Sequence, residues 1–350
     1  METRITVGLD MGDKSHSICV LDPDGNVVGR EQVANTARAI RRRFGEQPPC
    51  LVALEAGTHS AWVSRVLEEL GHEVLVGNPR KLRAIWDNDR KDDVRDAEML
   101  ARIARFDPQL LHPIRHRSPE SQRDLAALKA RHMLVKARTM LIAHARGLVK
   151  STGARLPTCS PECFHLRALA ALPDELAAAL EPLVKSIEEL TRRIRHCDRL
   201  VEKLCREKYP ATGRLRAIGG VGPVTALSFV LVLEDSGRVA NSRSVGAFLG
   251  LTPRRDQSGG TDKQLRITKA GNGDLRCLLV QCAQYILGAF GPDCDLRRFG
   301  LKLAERGGKN AKRRAVVAVA RKLAVKMHHL WKTGCDYEPF HLRPTNVAAA

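Results

Sequence analysis

The fold of the amino-terminal region is decided by residues 4–33, RITVGLDMGDKSHSICVLDPDGNVVGREQV. Alternating and β-branched apolar residues predict strands over 4–9, 16–21 and 27–33. The segment Asp22–Asn26 contains Pro-Asp-Gly, which predicts a tight turn between the second and third strands. The chain therefore begins with a three-stranded hairpin arrangement.

Helices and strands alternate after this hairpin, which predicts an α/β layer fold over residues 1–118. The short apolar run Leu51–Leu54 predicts a strand that ends at Glu55. The other expected elements are helices near 36–45, 59–71, 79–86 and 93–106, and a strand over 73–77.

The middle of the chain, residues 119–210, is predicted to be helical. A long polar helix is expected over 119–150, and the helix after it carries apolar residues at alternating spacings of four and three. Such a heptad pattern predicts a coiled coil, whose partner is either the 119–150 helix or another subunit. The alternative is a buried amphipathic helix within one subunit. Pro182 is a candidate start for the continuous helix. The heptad residues are Leu176, Leu180, Leu183, Ile187, Leu190, Ile194, Cys197, Val201 and Leu204.

A third region, residues 211–340, is predicted to be mainly helical, and residues 341–350 are predicted to form a disordered tail. The apolar helical stretch follows a glycine-rich turn and reaches about residue 233. A glycine-rich basic loop follows Pro253, and helices near 272–290 and 311–332 close the region.

The charge balance of the 350-residue chain favours a nucleic-acid partner. It has 58 Lys+Arg against 39 Asp+Glu, a net charge of +19, and such cations displace counterions from phosphates. No apolar run reaches the roughly 18 residues that span a bilayer, and no signal peptide is evident. We expect a soluble cytoplasmic protein with no membrane partner. Its cysteines, including Cys159 and Cys163, lack the spacing of a four-ligand metal site.

Four acids form the first candidate site. Asp10 and Glu55 are expected at the ends of neighbouring strands, and Asp93 and Asp96 share one face at a helix start. Hard oxygen ligands suit Mg²⁺ or Mn²⁺, and two such ions can hold the attacking and leaving oxygens of phosphoryl transfer. The alternatives are Asp10 as a turn residue, Asp93 as a helix N-cap, and Asp92 as the ligand in place of Asp93.

The second candidate site is Ser258, which precedes two glycines in the basic loop. Nearby cations would bind a phosphodiester and stabilise charge during attack by the serine hydroxyl. The base that would activate Ser258 is unassigned, and the alternative is a spectator serine in a flexible phosphate-binding loop. The cations are Arg254, Arg255, Arg266, Lys269 and Arg276.

Two further segments favour contact with a nucleic-acid backbone. Ile218-Gly-Gly-Val-Gly is similar to the turn of helix-hairpin-helix motifs, in which amides such as those of Gly220 and Gly222 hold phosphate. A plain helix-entry turn is the alternative. Between Lys302 and Lys332 there are ten Lys/Arg and one acid, a density typical of phosphate binding.

Several motifs together resemble the DEDD transposases of the insertion-sequence-one-ten family, relatives of the Piv-type DNA invertases. Asp92 stands where the family has Thr, and Gly219 stands where it has Pro. The matching segments are Gly8–Asp10, Leu54–Gly57, Asn78–Pro79, Lys91–Ala97, Ile218–Pro223, Phe248–Arg255, Gln257–Gly259 and Ile267–Asn272.

This resemblance implies an RNase H fold of the RuvC-like type at the amino terminus, joined by a coiled coil to a serine-containing transposase domain. It implies that Ser258 attacks DNA and forms a phosphoserine linkage, assisted by the metal-bound acids Asp10, Glu55, Asp93 and Asp96. It also implies a homo-oligomer, dimer or tetramer, in which one subunit's acids complete another's serine site. A structured bridge RNA would pair with donor and target DNA.

Three other functions fit parts of the sequence. A metal-dependent nuclease of the junction-resolvase type would use only the four acids. An actin-like ATPase is suggested by Gly8–Gly12, although a second phosphate loop and an adenosine pocket are not evident. A non-catalytic nucleic-acid-binding protein is the third alternative.

Overall fold

The computed structural model describes residues 4–82 and 92–340. The chain divides into two compact units, Met1–Ser118 and Pro119–Ala350. The predicted tail, residues 341–350, and residues 83–86 of the helix predicted over 79–86 lie outside the described residues, and residues 79–82 of that predicted helix are not helical.

The first unit contains a five-stranded mixed sheet with the strand order β3-β2-β1-β4-β5. The first three strands pair antiparallel, as the hairpin pattern predicts, whereas β1–β4 and β4–β5 pair in parallel. The strands are β1 (Thr6–Met11), β2 (Ser15–Leu21), β3 (Val27–Ala34), β4 (Leu51–Glu55) and β5 (Glu73–Gly77).

Helices cover both faces of this sheet. Helices α1 (Ala37–Phe44) and α2 (Ser60–Glu69) pack on the face that carries Val7 and Leu9, which are completely buried. Helix α3 (Asp93–Phe106) packs on the other face, and a 3-10 turn (Pro108–Leu111) follows it. The observed bounds of these helices agree with the predicted ones to within a few residues.

The second unit is mainly helical and has one two-stranded hairpin. Its centre is the apolar helix α8, in which every residue from Thr225 to Leu233 is buried. Among the described residues no helix is both long and apolar enough to cross a membrane. The elements are α4 (Pro119–Ser151), α5 (Phe164–Leu169), α6 (Asp174–Glu207), α7 (Ala211–Arg216), α8 (Pro223–Leu233), a 3-10 turn (Ser242–Ser244), α9 (Val245–Phe248), β6 (Pro253–Ser258), β7 (Thr261–Ile267), α10 (Gly273–Leu287), α11 (Asp295–Glu305) and α12 (Ala311–Thr333).

The long helices α4 and α6 pack against each other in antiparallel order within one chain. Lys208 bonds to Asp124 near one end of the pair. Closer to the other end, the guanidinium of Arg138 lies 3.4 Å from the Thr191 hydroxyl. The helix expected over 119–150 is therefore one partner of the heptad helix, and a coiled-coil contact with another subunit stays a prediction.

The buried stripe of α6 differs from the predicted heptad in every second position. Leu180 and Ile187 are buried as expected, but Val184 and Thr191 are buried where Leu183 and Leu190 were predicted. The predicted leucines are half-buried beside the stripe because the face turned to α4 lies about one residue further along the helix. The expectation that Pro182 begins the helix is wrong, since α6 begins eight residues earlier.

Candidate active site

Asp10 and Glu55 are neighbours at one edge of the sheet. Strands β1 and β4 pair in parallel through Gly8 with Ala53 and Leu9 with Leu54, so the next step sets Asp10 opposite Glu55. Both acids are half-buried. Since alternate residues of a strand point to the same face, both carboxylates belong to the face of Gly8 and Ala53, which α3 covers.

Helix α3 brings its first turn to the same edge. Its contact with Gly8 is so close that an added Cβ would lie 1.8 Å from the carbonyl oxygen of Ala97. Glu98 then pairs with Arg30 at 2.7 Å, and Arg102 reaches the carbonyl of Gly25, in the turn between β2 and β3. The helix therefore runs opposite to β1, and its amino terminus points to the Asp10 end of that strand.

Glu98 anchors this arrangement by ion pairs with two arginines. The hydrogen bond from Arg30 at 2.7 Å and that from Arg102 at 2.8 Å hold the pKa of Glu98 below its usual value. The carboxylate is therefore ionised at neutral pH and bridges β3 to α3. This bridge supports the position of the first turn of α3, which contains Asp93 and Asp96.

Two of the alternative roles for the acids are wrong. Asp10 lies inside β1 and is not a turn residue. The N-cap of α3 is Asp92, whose carboxylate accepts a hydrogen bond from the Val94 amide at 3.1 Å, so Asp93 does not cap the helix. The capping role of Asp92 explains why an acid is suitable where the family has threonine, since both residues are good N-caps.

The type and position of these acids fit a hard divalent cation. Carboxylate oxygens are the preferred protein ligands of Mg²⁺ and Mn²⁺. Asp10 and Glu55 end strands at one edge of the sheet, and the first turn of α3, with Asp93 and Asp96, lies towards the same edge. The side chains do not close around a single point: within residues 4–82 and 92–340, no group of three or more His, Cys, Asp or Glu side chains is suitably placed to hold a metal ion. The metal role of the acids stays a prediction.

Ser258 lies at the tip of an exposed β-hairpin, not in an irregular loop. It ends β6 and pairs with Thr261, the first residue of β7, across the turn formed by Gly259 and Gly260. Gly259 has a φ of +54°, and a Cβ added at either glycine would meet nothing within 4 Å. The glycine-rich basic loop expected after Pro253 is therefore a β-hairpin, Pro253–Ile267, which we call the arm, because its two halves pair with each other.

The motif segments Phe248–Arg255 and Ile267–Asn272 meet at the base of the hairpin. Their close contact explains why both contain glycine. Gly250 has a φ of +67°, and an added Cβ would lie 2.2 Å from the Ala270 amide nitrogen. Gly271 has a φ of +66° and approaches the carbonyl of Phe248 equally closely. The two segments are so close at Gly250 and Gly271 that a side chain at either position would not fit. This packing fixes the position from which the hairpin extends.

Arg276 completes this base. Its guanidinium donates hydrogen bonds to the carbonyl of Leu249 at 3.0 Å and to that of Ala270 at 2.7 Å. It therefore ties together the two segments that lead into and out of the hairpin. This contact gives Arg276 a structural role, and the predicted contact with DNA stays a prediction.

The other predicted cations fall into two groups. Arg255 forms an ion pair with Asp262 across the hairpin, with N–O distances of 2.6 and 2.9 Å, and this hydrogen bonding raises the pKa of Arg255. Arg254 lies on the exposed strand β6. Arg266 and Lys269 line a groove beside the arm, and their predicted role in binding nucleic acid stays a prediction.

This groove, which we call the basic groove, has a volume of about 870 Å³. Hairpin residues line it together with residues of α12 and Phe299 of α11. The sequence indicated a basic α12 but gave no sign that it faces the hairpin, and the contribution of Arg243 was missed. The cationic side chains of the groove are Arg243, Arg266, Lys269, Arg313, Arg314, Arg321 and Lys322.

The glycine-rich turn before α8 is shaped by packing. Gly220 has a φ of +88°, and an added Cβ would lie 2.7 Å from the ring of Tyr285. Gly222 is the N-cap of α8 and is followed by Pro223. The alternative of a helix-entry turn therefore describes its local structure, while phosphate binding by the amides of Gly220 and Gly222 stays a prediction.

Comparison with known proteins defines the class of this protein. A transposase profile of the DEDD type matches residues 7–153, which include all four acids. A second profile, described as transposase IS116/IS110/IS902 family, matches residues 212–295, which include Ser258. The protein is therefore a DNA transposase of the DEDD type. The chain belongs to the IS110 family of insertion-sequence transposases.

Similar proteins agree with this assignment. The chain is 29% identical to a probable family 20 transposase of Pseudomonas aeruginosa over 95% of this chain and 98% of the relative. It is also 29% identical to the transposase for insertion sequence element IS1111A of Coxiella burnetii, over 91% and 87% of the two chains. A pilin gene-inverting protein of Moraxella lacunata is 28% identical over 31% of this chain and 33% of its own length.

Proposed function

We propose that this transposase cuts and rejoins DNA through a covalent phosphoserine formed by Ser258. The Ser258 oxygen would form a bond to the phosphorus of the scissile phosphodiester, and the bond from that phosphorus to the leaving sugar oxygen would break. The Ser258 hydroxyl would lose its proton, and the leaving oxygen would gain a proton as a hydroxyl group. The observation that carries this proposal is the exposed position of Ser258 at the tip of an arm whose base is fixed by the family motifs.

We propose that the acids serve the same reaction from a RuvC-like domain. The sheet, with three antiparallel strands continued by parallel ones, supports an RNase H type of fold. Asp10, Glu55, Asp93 and Asp96 would hold Mg²⁺ or Mn²⁺. A bound divalent ion would stabilise the negative charge that develops on phosphate oxygens. The amino terminus of α3 lies at this edge and favours negative charge there, whether of the carboxylates or of phosphate.

The active site is proposed to be divided between copies of the chain in a homo-oligomer. The acids belong to the first unit and Ser258 to the second, so one copy could supply the acids and another the serine. A bridge RNA is proposed to choose donor and target DNA by base pairing. The low aromatic content, 4% of residues, supports a protein that binds backbones rather than stacking on many bases.

The test of the proposed chemistry is capture of the covalent intermediate. Purified protein with guide RNA and Mg²⁺ would be incubated with a nicked element-end DNA that prevents religation. We expect a protein–DNA adduct that, after nuclease digestion and mass spectrometry, maps to Ser258. The Ser258→Ala variant should give no adduct, whereas Thr261→Ala, which changes the cross-strand neighbour, should retain it.

A junction-resolvase type of nuclease gives a different result. In that case Ser258→Ala would cut DNA at the wild-type rate, and no adduct would form with either protein. Substitution of Asp10 by Asn would then be the change that removes cleavage.

A further inference from the structure

The lining of the basic groove combines apolar and cationic side chains. Ile267, Val317 and Val325 contribute apolar surface, and Leu265 of the hairpin is 47% exposed. A DNA duplex presents charged phosphates and sugars on its outside and hides most base surface by stacking. A strand with unpaired bases presents both phosphates and apolar base faces, so it complements both parts of this lining.

The charge of the groove requires a polyanion. Seven cationic side chains and no Asp or Glu are among its described lining residues. A single nucleotide or another small anion would neutralise only part of this charge, although the volume of about 870 Å³ lies in the range of roughly 300–1,000 Å³ of small-molecule pockets. Several consecutive phosphates would match the positive charge of the groove better.

Two of these cations are held in place by the surrounding structure. Arg321 packs against Gly246, where an added Cβ would lie 2.9 Å from its side chain. The ammonium group of Lys322 lies 3.6 Å from the centre of the Phe299 ring, a cation–π contact. Positioned charges lose less conformational freedom on binding, as expected for a binding surface.

We propose that the basic groove holds one nucleic-acid strand with its bases unpaired. Phosphates would contact cations such as Arg321 and Lys322, and base faces would contact apolar residues such as Leu265. This inference rests on the proposed function for its class of ligand. Residues of β7 line the groove, and β7 belongs to the hairpin that carries Ser258, so the strand would run beside the nucleophile's own arm.

The test compares three fluorescent probes of equal phosphate number: single-stranded DNA, an abasic strand, and a hairpin duplex. Binding of the full chain would be measured by anisotropy over a range of salt concentrations. We expect the wild type to bind the single strand at least about tenfold more tightly than the abasic strand, since burial of base surface adds to phosphate contact. Lys322→Ala should reduce the salt slope for the single strand by about 0.7, the value for one phosphate contact.

Leu265→Ser separates base contact from phosphate contact. We expect about a tenfold loss of affinity for the single strand, because the apolar surface of the leucine is lost, and little change for the abasic strand. Leu301→Ser is the matched control, since Leu301 is 39% exposed on α11 and does not line the groove. Lys312→Ala, which lies on α12 outside the groove, is the control for Lys322→Ala.

Two results would overturn the inference. Equal affinity of the wild type for single-stranded and abasic probes would show that the groove binds backbone alone. An unchanged affinity of Leu265→Ser and Lys322→Ala for all three probes, with weakened binding of an acidic peptide, would assign the groove to a protein partner. Probe binding requires no strand cleavage and is measured separately from adduct formation, so failure of the covalent chemistry and failure of the groove inference can be distinguished.

Discussion

The acid edge of the first unit, where Asp10 and Glu55 end their strands, and the serine hairpin of the second, Pro253–Ile267, are held in position in opposite ways. Asp10 and Glu55 extend from strands in the middle of a sheet whose residues Leu9 and Leu54 are completely buried. Ser258 lies on a two-stranded arm in which every residue of β6 is exposed. One half of the proposed site is fixed by a core, and the other is fixed only at the base of its arm.

This difference indicates how the two halves would work together. A side chain at a buried strand end keeps its position in the absence of substrate, because register and packing determine it. A nucleophile on an exposed arm can be brought to its target by the ligand or by another subunit, and its position then depends on what it binds. In the proposed site, the acids would therefore hold a fixed position, and the hairpin would bring Ser258 to the target.

The largest loss of stability is expected from a substitution that adds a side chain between β1 and α3. Gly8→Ala would place a Cβ 1.8 Å from the backbone carbonyl of Ala97, so the helix must move. We expect about 3 kcal/mol of local destabilisation, at the upper end of overpacking costs. Hydrogen exchange followed by mass spectrometry should show about a hundredfold faster exchange in peptides from β1 and α3.

Two glycine variants test whether this effect is specific to the acid edge. Gly29→Ala, in the same sheet, meets Val20 at an ordinary 3.8 Å and should change exchange little. Gly260→Ala, at the tip of the serine hairpin, meets no atom within 4 Å and should change stability by less than about 0.5 kcal/mol. Equal effects of Gly8→Ala and Gly260→Ala would contradict the contrast between a packed edge and an open arm.

A smaller effect is expected from releasing the base of the arm. Arg276→Ala removes the guanidinium from two carbonyls, which costs about 1.5–3 kcal/mol for hydrogen bonds to a charged group. Exchange should accelerate across residues 249–276, and strand-exchange activity should fall with it. Arg255→Ala breaks only an exposed ion pair and should therefore change stability much less than Arg276→Ala. If Arg255→Ala has the greater effect, the arm is held by its own strands and not by its base.

The smallest expected effect is a change in stability with pH that depends on His328. His328 in the second unit is buried; its Nε2 donates to the carbonyl of Ser236, and its Nδ1 accepts from the Ser242 hydroxyl. Burial lowers the pKa of His328 from 6.5, and the charges of Lys332 and His329 act in the same direction. The unfolded chain therefore takes up a proton before the folded one does, and stability is lost as pH falls below about 6.5.

Thermal unfolding at pH 7 and pH 5 measures this effect. We expect His328→Gln to reduce the drop in Tm between the two pH values, because glutamine takes up no proton in either the folded or the unfolded chain. His196→Gln, at an exposed position on α6, should leave the drop unchanged. The pKa of His16 in the first unit is also lowered by burial, so the first unit should lose stability separately as pH falls.

The sequence predicted the first unit more completely than the second because its signals are local. Strand alternation and the Asp22–Asn26 turn gave the hairpin, and strand ends gave the shared edge of Asp10 and Glu55. The arm carrying Ser258 was missed because its strands are polar on both faces, so no apolar alternation indicates a sheet. The buried stripe of α6 lies about one residue from the predicted stripe, because the spacing of leucines alone does not show which face α4 covers.

The basic groove illustrates what local patterns do not contain. The cations of α12 were evident as a basic stretch, but their position opposite β7 depends on contacts between elements that are distant in the sequence. The supporting role of Gly246 beneath Arg321 is likewise visible only in the folded chain.

Acids and serine from different copies are proposed to form one active site, a claim that mixing of two variant subunits examines. Ser258→Ala and Asp10→Asn chains would be co-expressed, purified with guide RNA and assayed for strand exchange. Each variant alone should be inactive, whereas the mixture should recover about a quarter of wild-type activity for random dimers, because half of the dimers contain one intact site of two. A mixture of Asp10→Asn with Glu55→Gln, both in the acid half, should stay inactive. Failure of the Ser258→Ala and Asp10→Asn pair to recover activity, with both chains folded and bound to DNA, would contradict the claim.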